Sequence, residues 1–291
     1  MKLDPITVVE VGPRDGLQYE SVFFPTQEKI ALINSLSSAG LKRIEVTSLV
    51  HPKVIPSLRD AMEVLGGITK APGVIYSALV PNLKGCQRAL ETPVDELALF
   101  VSASQTHNHK NVGMSIEESL RGFGEIARQA RDAGKSLRGY VITAFGCPYE
   151  GAVPLDQVER IIAAYAGLGA REVSLGDTTG MANPRQVGEV FARLGAECQG
   201  MPLAAHFHNS RGLGLANAHA AYLAGCRVFD ASVGGLGGCP TAVGAMGNIP
   251  TEDLVNMMEE MGAPTGVDFD RLLNSAALVK QGLGGELASY T

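Results

Sequence analysis

A chain of 291 residues, 45% of them hydrophobic, can bury a sizeable core, and its length suits one large unit better than two full domains. A formal charge of −6, no Trp and only 5% aromatic residues exclude a basic nucleic-acid groove with stacking platforms. No apolar run approaches the ~18 residues that a spanning helix needs, and the first residues lack the apolar core of a secretory signal, so no membrane partner and a cytoplasmic location are expected.

The first β-branched run is Thr7 to Val11, followed at once by Arg14 and Asp15. A helix is predicted over Thr26 to Ala39, closed by Gly40, and the second strand over Arg43 to Val46, where Glu45 ends it. Strands three and four are Val74 to Leu79 and Glu96 to Val101. The polar stretch Thr106 to Asn111 then reads as a loop, and its His107 and His109 have no carboxylate beside them, which argues against a metal site there. Lys110 in that loop can meet a phosphate. A helix from Ser115 to Ala133 leads through Gly134 to a fifth strand, Leu137 to Thr143. Leu155 to Leu168 is the next helix, and Gly169 hands it over to a sixth strand, Glu172 to Leu175, with Asp177 just beyond. The seventh strand, Leu203 to His208, ends in His206 and His208, and Gly225 precedes the eighth, Val228 to Ser232. Pro154 and Pro184 sit where a first helical turn tolerates proline.

Eight strands alternating with helices imply parallel pairing and a closed (β/α)8 TIM barrel, an α/β fold. An open doubly wound sheet is the rival, weakened by the lack of a GxGxxG turn after the first strand. Residues 1–291 are read as one catalytic barrel domain, with 268–291 a C-terminal helical extension and a flexible end near Gly282 to Gly285. The five cysteines show no close pairing, so reduced thiols are expected.

Residues able to do chemistry fall just after these strands, on the barrel face that carries active sites. His206 and His208 stand two apart on a strand, so both side chains leave one face and can share a metal ion. With Asp15 and Asn248 they offer oxygen and imidazole donors without thiolate, which suits Mg²⁺ or Mn²⁺, with Zn²⁺ as an alternative. Gly234 to Pro240 holds too many glycines for a helix and reads as a functional loop that presents Cys239.

The segments Val9 to Gln18, Gly146 to Gly151, Ser174 to Thr178, His206 to His208 and Gly235 to Pro240 together resemble the 3-hydroxy-3-methylglutaryl-CoA lyases. That resemblance runs from about Thr7 to beyond Gly262. It implies cleavage of 3-hydroxy-3-methylglutaryl-CoA, or a closely related 3-hydroxyacyl-CoA, to acetyl-CoA and a 3-oxo acid such as acetoacetate. It further implies a metal on Asp15, His206, His208 and Asn248, with Arg14, Glu45, Asp177 and Cys239 around it, and CoA contacts from Lys110 and Asn111. Under it Arg14 stabilises negative charge on the thioester oxygen, His206 joins proton transfer with Asp177 or Glu45 tuning it, and Cys239 protonates the enolate carbon.

The chain departs from the family pattern at Tyr19, Asn209, Arg211 and Thr241, each beside a candidate site residue, which bears on substrate size and polarity. A small-molecule acyl-CoA partner is expected, and a homodimer is compatible with the reading. Two alternatives stand: an enzyme that condenses acetyl-CoA with 2-oxo acids, which usually carries a C-terminal regulatory region that this length leaves no room for, and an inactive metal-binding barrel that acts as a scaffold.

Overall fold

The computed structural model describes residues 3–198, 200–238 and 247–291. Eight parallel strands close on themselves in chain order: β1 (Thr7–Glu10), β2 (Arg43–Ser48), β3 (Ile75–Leu79), β4 (Glu96–Ser102), β5 (Ser136–Ile142), β6 (Glu172–Asp177), β7 (Leu203–Phe207) and β8 (Val228–Ala231), with β8 pairing back onto β1. The helices are α1 (Thr26–Ser38), α2 (Ala61–Gly67), α3 (Leu83–Leu90), α4 (Gln105–Val112), α5 (Ile116–Asp132), α6 (Leu155–Gly167), α7 (Pro184–Glu197), α8 (Gly214–Leu223), α9 (Thr251–Glu260) and α10 (Phe269–Leu283). This is the (β/α)8 barrel that the alternation predicted.

Local chemistry accounts for the element ends. Ser115 caps α5 by accepting from the Glu118 N–H at 3.1 Å while Glu118 reaches back to the Ser115 N–H at 2.8 Å, a reciprocal pair that satisfies two otherwise orphaned donors. The buried face of that helix, Ile116, Phe123, Ile126, Ala127 and Ala130, keeps helical spacing. Gly40, Gly134, Gly169 and Gly225 all have positive φ, between 67° and 99°, as residues that close a helix before a strand should.

On β4, Leu97, Leu99 and Val101 pack outward in the main core, whereas Ala98 and Phe100 join Leu79, Tyr140 and Ile142 in a small separate cluster. The lumen itself is charged. Arg43 on β2 donates to Glu172 on β6 at 2.9 and 3.0 Å and to Glu96 on β4 at 3.2 Å, and none of these strands are neighbours, so the bonds cross the barrel. Arg138 on β5 extends the chain from Glu172 at 2.8 Å to Asp230 on β8 at 2.7 Å. Branched aliphatic layers usually fill this space. Here alternating charges do, each paired, which is what burying them requires.

Three readings need correction. The stretch Thr106 to Asn111 is helical, within α4, because Ser104 caps it by accepting from the His107 N–H at 3.1 Å and Gly113 closes it at φ 72°. Glu45 lies inside β2, which runs on to Ser48 past a register irregularity between Glu45 and Thr47. Gly282 belongs to α10, packed so closely on Phe24 that a Cβ there would come within 2.2 Å of the ring. Beyond Gly284 the tail returns to the barrel, where the Ala288 N–H donates to Gly234 O at 3.0 Å and Asp253 accepts from the Tyr290 N–H at 3.0 Å.

Glu252, second residue of α9, is fully buried and accepts from the Gly234 N–H at 2.9 and 3.0 Å. Burial pushes its carboxyl up to about 7, with Glu10 and Asp253 adding to the push against its backbone donors. Between the ordinary value of 4.5 and about 7 the folded protein holds a proton that the unfolded chain has lost, so stability falls as pH rises through that window. Glu252→Gln keeps an acceptor for Gly234 and removes that loss. The variant is expected to melt roughly 3–6 °C above the parent at pH 8 and close to it at pH 5, and equal melting at pH 8 would rule the account out.

Candidate active site

The turn Gly12–Gly16 follows β1 and wraps its N–H groups onto one carbonyl: Arg14, Asp15 and Gly16 donate to Val11 O at 3.1, 2.7 and 3.2 Å. This winding turns Arg14 and Asp15 into the C-terminal mouth of the barrel. Arg14 is held from two sides, by Glu45 Oε2 on its Nε at 2.5 Å and by Asp15 Oδ1 on its Nη1 at 2.5 Å. Both neighbouring carboxylates raise its pKa further against the cost of burial, so its charge is permanent.

His206 closes β7 one residue before its end, and His208 lies just past the strand, bridged to Asn248. The two Nε2 atoms are 3.1 Å apart, and His208 Nε2 is 3.8 Å from Asp15 Oδ2. One donor atom from each of Asp15, His206 and His208 lies within 4.8 Å of the others, and among the described residues this is the one such cluster. Asn248 joins it by donating from Nδ2 to Asp15 Oδ2 at 2.8 Å and to Leu236 O at 3.1 Å. Its other amide atom, Oδ1, is buried and accepts no hydrogen bond among the described residues. Burial pushes the Asp15 carboxyl up, but Arg14 and the two imidazoles outweigh it and hold it below the usual carboxylate range. An anionic carboxylate, two facing imidazole nitrogens and an amide oxygen that meets no donor among the described residues fit a divalent cation by chemistry and by spacing.

The surrounding candidates differ in what they leave free. Glu45 is fully buried, and its Oε1 has no partner among the described residues. Burial holds its carboxyl above the ordinary value against the pull of Arg14. Asp177, the last residue of β6 rather than one beyond it, accepts from the Met181 N–H at 2.8 Å and the Ala182 N–H at 3.1 Å, one on each oxygen. Burial nevertheless raises it as well. Asn111 lines the cavity above the cluster together with Arg14, Asp15 and His206, while Lys110 is exposed with its Nζ 4.1 Å from the Tyr149 ring centre. Cys239 and Thr241 lie outside the described residues; the other four cysteines are free thiols.

Several residues of the site escaped the sequence reading. Asp230 places Oδ2 3.3 Å from His206 Nδ1, behind the imidazole, and is itself held by Arg138. Tyr140 stands nearly perpendicular to the His206 ring, with ring centres 6.3 Å apart, and turns its face to the Arg14 guanidinium at 5.8 Å. Gln18 donates to Asp15 Oδ1 at 3.1 Å. His107 is buried against Tyr149 and lines the cavity, whereas His109 is exposed, so this second pair of histidines does not converge. The available signal was a charged residue inside a β-branched run, as at Glu10 and Asp230.

A cavity at the C-terminal mouth of a parallel barrel, with a paired arginine beside a cation-competent cluster, defines an enzyme rather than a binding scaffold. The HMGL-like family model matches residues 5–279. Hydroxymethylglutaryl-CoA lyase YngG of Bacillus subtilis is 49% identical, over 98% of this chain and 95% of that protein. The crystal structure of the Bacillus subtilis HMG-CoA lyase superposes with a TM-score of 0.96 at 48% identity, covering 99% of this chain and 97% of the other. An HMG-CoA lyase from Acinetobacter baumannii in complex with coenzyme A and 3-methylmalate gives a TM-score of 0.94 at 49% identity, over 99% and 94% of the two chains. The chain belongs to the HMGL-like family, and it is a carbon–carbon lyase.

Proposed function

We propose that this lyase cleaves 3-hydroxy-3-methylglutaryl-CoA to acetyl-CoA and acetoacetate, with Asp15, His206, His208 and Asn248 holding Mg²⁺ or Mn²⁺. The single observation that carries the reading is the convergence of Asp15, His206 and His208, with an Asn248 oxygen that has no hydrogen-bond partner among the described residues, beside the Arg14–Glu45 pair. A bound divalent ion would supply Lewis-acid polarisation of the substrate's hydroxyl and carbonyl oxygens. Arg14 then presents a fixed cation to the charge that develops on the thioester oxygen as the carbon–carbon bond breaks. The hydroxyl proton passes at His206, whose far nitrogen faces Asp230. Glu45, with one oxygen free of hydrogen bonds among the described residues, serves to tune that transfer, and Asp177, with both oxygens engaged by backbone, serves to shape the turn after β6. Cys239 delivers the proton to the enolate carbon, and Lys110 and Asn111 meet the CoA moiety.

The reading takes residues 1–291 as one catalytic unit with 268–291 as its extension, supported by the docking of α10 on α1 through Ser35 Oγ and Ser275 Oγ at 2.8 Å. Free thiols favour a reducing, cytoplasmic setting. Among the described residues no helix is long and apolar enough to cross a membrane.

The test is release of acetyl-CoA from a panel of 3-hydroxyacyl-CoA thioesters, with Mg²⁺ and Mn²⁺ supplied in turn. Turnover is expected to be highest with the 3-hydroxy-3-methylglutaryl thioester. Robust consumption of acetyl-CoA with a 2-oxo acid, and no cleavage of any hydroxyacyl thioester, would replace this reading with the condensing reaction.

A further inference from the structure

Glu10 is a glutamate at the end of the buried, β-branched strand β1, fully inaccessible and facing no solvent. Such a group is costly to bury unless its oxygens are hydrogen-bonded, so the donors it collects say what it is for. There are three, and each belongs to a different segment of the chain. Oε1 accepts from the Gly12 N–H at 2.7 Å, at the start of the turn that carries Arg14 and Asp15. The same oxygen accepts from the Val233 N–H at 2.9 Å, at the start of the glycine-rich segment that leads on to Cys239. Oε2 accepts from Thr251 Oγ1 at 2.6 Å, three residues beyond Asn248.

These three segments bring in the site from far apart in the chain, since Glu10 and Thr251 are separated by 241 positions. They close on one another around the carboxylate. Gly12 approaches so tightly that a Cβ would lie 2.6 Å from Glu10 Oε1 and 2.9 Å from the Val233 side chain. Asn248 is tied to the second segment by its N–H on Leu236 O at 3.3 Å, and Thr251 to the end of β8 by its N–H on Ser232 O at 3.1 Å. The carboxylate is thus the common acceptor of the turn bearing Asp15 and of the segments on either side of Asn248 and Cys239.

We propose that Glu10 is a positioning residue of the active site, whose two oxygens hold the Asp15 turn, the approach to Cys239 and the chain after Asn248 in register, so that Asp15 and Asn248 meet the same cation. It touches neither substrate nor metal. The proposal rests on the reading of Asp15, His206, His208 and Asn248 as metal ligands. It requires acceptor oxygens at this place and not a negative charge.

The test measures Mn²⁺ binding to the purified full chain by calorimetry, without substrate, together with melting temperature and turnover. Glu10→Gln retains an acceptor oxygen for Gly12 and Val233, and its Mn²⁺ affinity is expected within about three-fold of the parent. Glu10→Ala loses every acceptor and is expected to bind Mn²⁺ about 10–100-fold more weakly, the range for removing a group behind the ligands. Its residual turnover at saturating Mn²⁺ should also remain reduced, because the approach to Cys239 is loosened as well. Parental Mn²⁺ affinity in the alanine variant overturns the proposal, and so does a glutamine variant as weak as alanine, which would make the charge the important property. If the alanine variant does not fold, Thr251→Val removes only the donor to Oε2; a three- to ten-fold loss of affinity is then expected, and no loss overturns the idea. A parent that binds Mn²⁺ but cleaves no thioester defeats the functional reading alone, whereas a parent that binds no Mn²⁺ withdraws both.

Discussion

His208→Ala should lower divalent-metal affinity by on the order of 100-fold or more and reduce lyase activity to a trace at ordinary metal concentrations. An ion on few protein groups loses much of its binding free energy with each one, and here the lost group faces both His206 at 3.1 Å and Asp15 at 3.8 Å. The side chain is buried, so its truncation also leaves a void, and the melting temperature must be followed beside metal content. Raising Mn²⁺ should recover part of the activity if the loss is one of occupancy. Undiminished metal by elemental analysis, in a folded variant, would remove His208 from the ligand set.

Arg14→Gln should leave metal binding largely intact and cut kcat by about 100–1,000-fold, the scale of losing one donor aimed at charge in the transition state. The geometry adds a second consequence. Arg14 is the cation that offsets the buried Glu45, and removing one member of a buried pair costs about 3–5 kcal/mol, less whatever the glutamine amide regains as a donor. Without the guanidinium, the Glu45 carboxyl, already raised by burial, should rise further, and stability should then fall as pH increases past the ordinary glutamate range. A variant with normal kcat and a raised KM would make Arg14 a binding residue, and an unchanged melting temperature would show that Glu45 finds another partner.

The residues around the candidate metal were legible for a reason that is local. A strand alternates its side chains, so two histidines two positions apart must leave one face, and strand ends in a parallel barrel gather at one mouth. That logic found His206, His208, Asp15 and Asn248. It misjudged position where the strand end was itself uncertain, as with Glu45, which lies inside β2, and Asp177, which ends β6. It also took the polar run around His107 for a loop, because polarity outweighed the cap at Ser104 and the glycine at 113 that make it a helix.

What the sequence by itself determined is the barrel and the kind of chemistry at its mouth: eight β-branched runs, glycines that close the helices between them, and a donor set of imidazole and oxygen. These follow from interactions between residues a few positions apart, which periodicity and capping rules capture. Only the tertiary structure decided that the lumen is lined with paired charges, that Asp230 backs His206, that Glu45 has one oxygen without a hydrogen-bond partner among the described residues while both Asp177 oxygens are engaged, and that Glu10 gathers three segments of the site. Most of these depend on groups far apart in the chain, up to the 241 positions between Glu10 and Thr251, meeting in the closed barrel, and the worth of a buried charge is set by the partner it finds there.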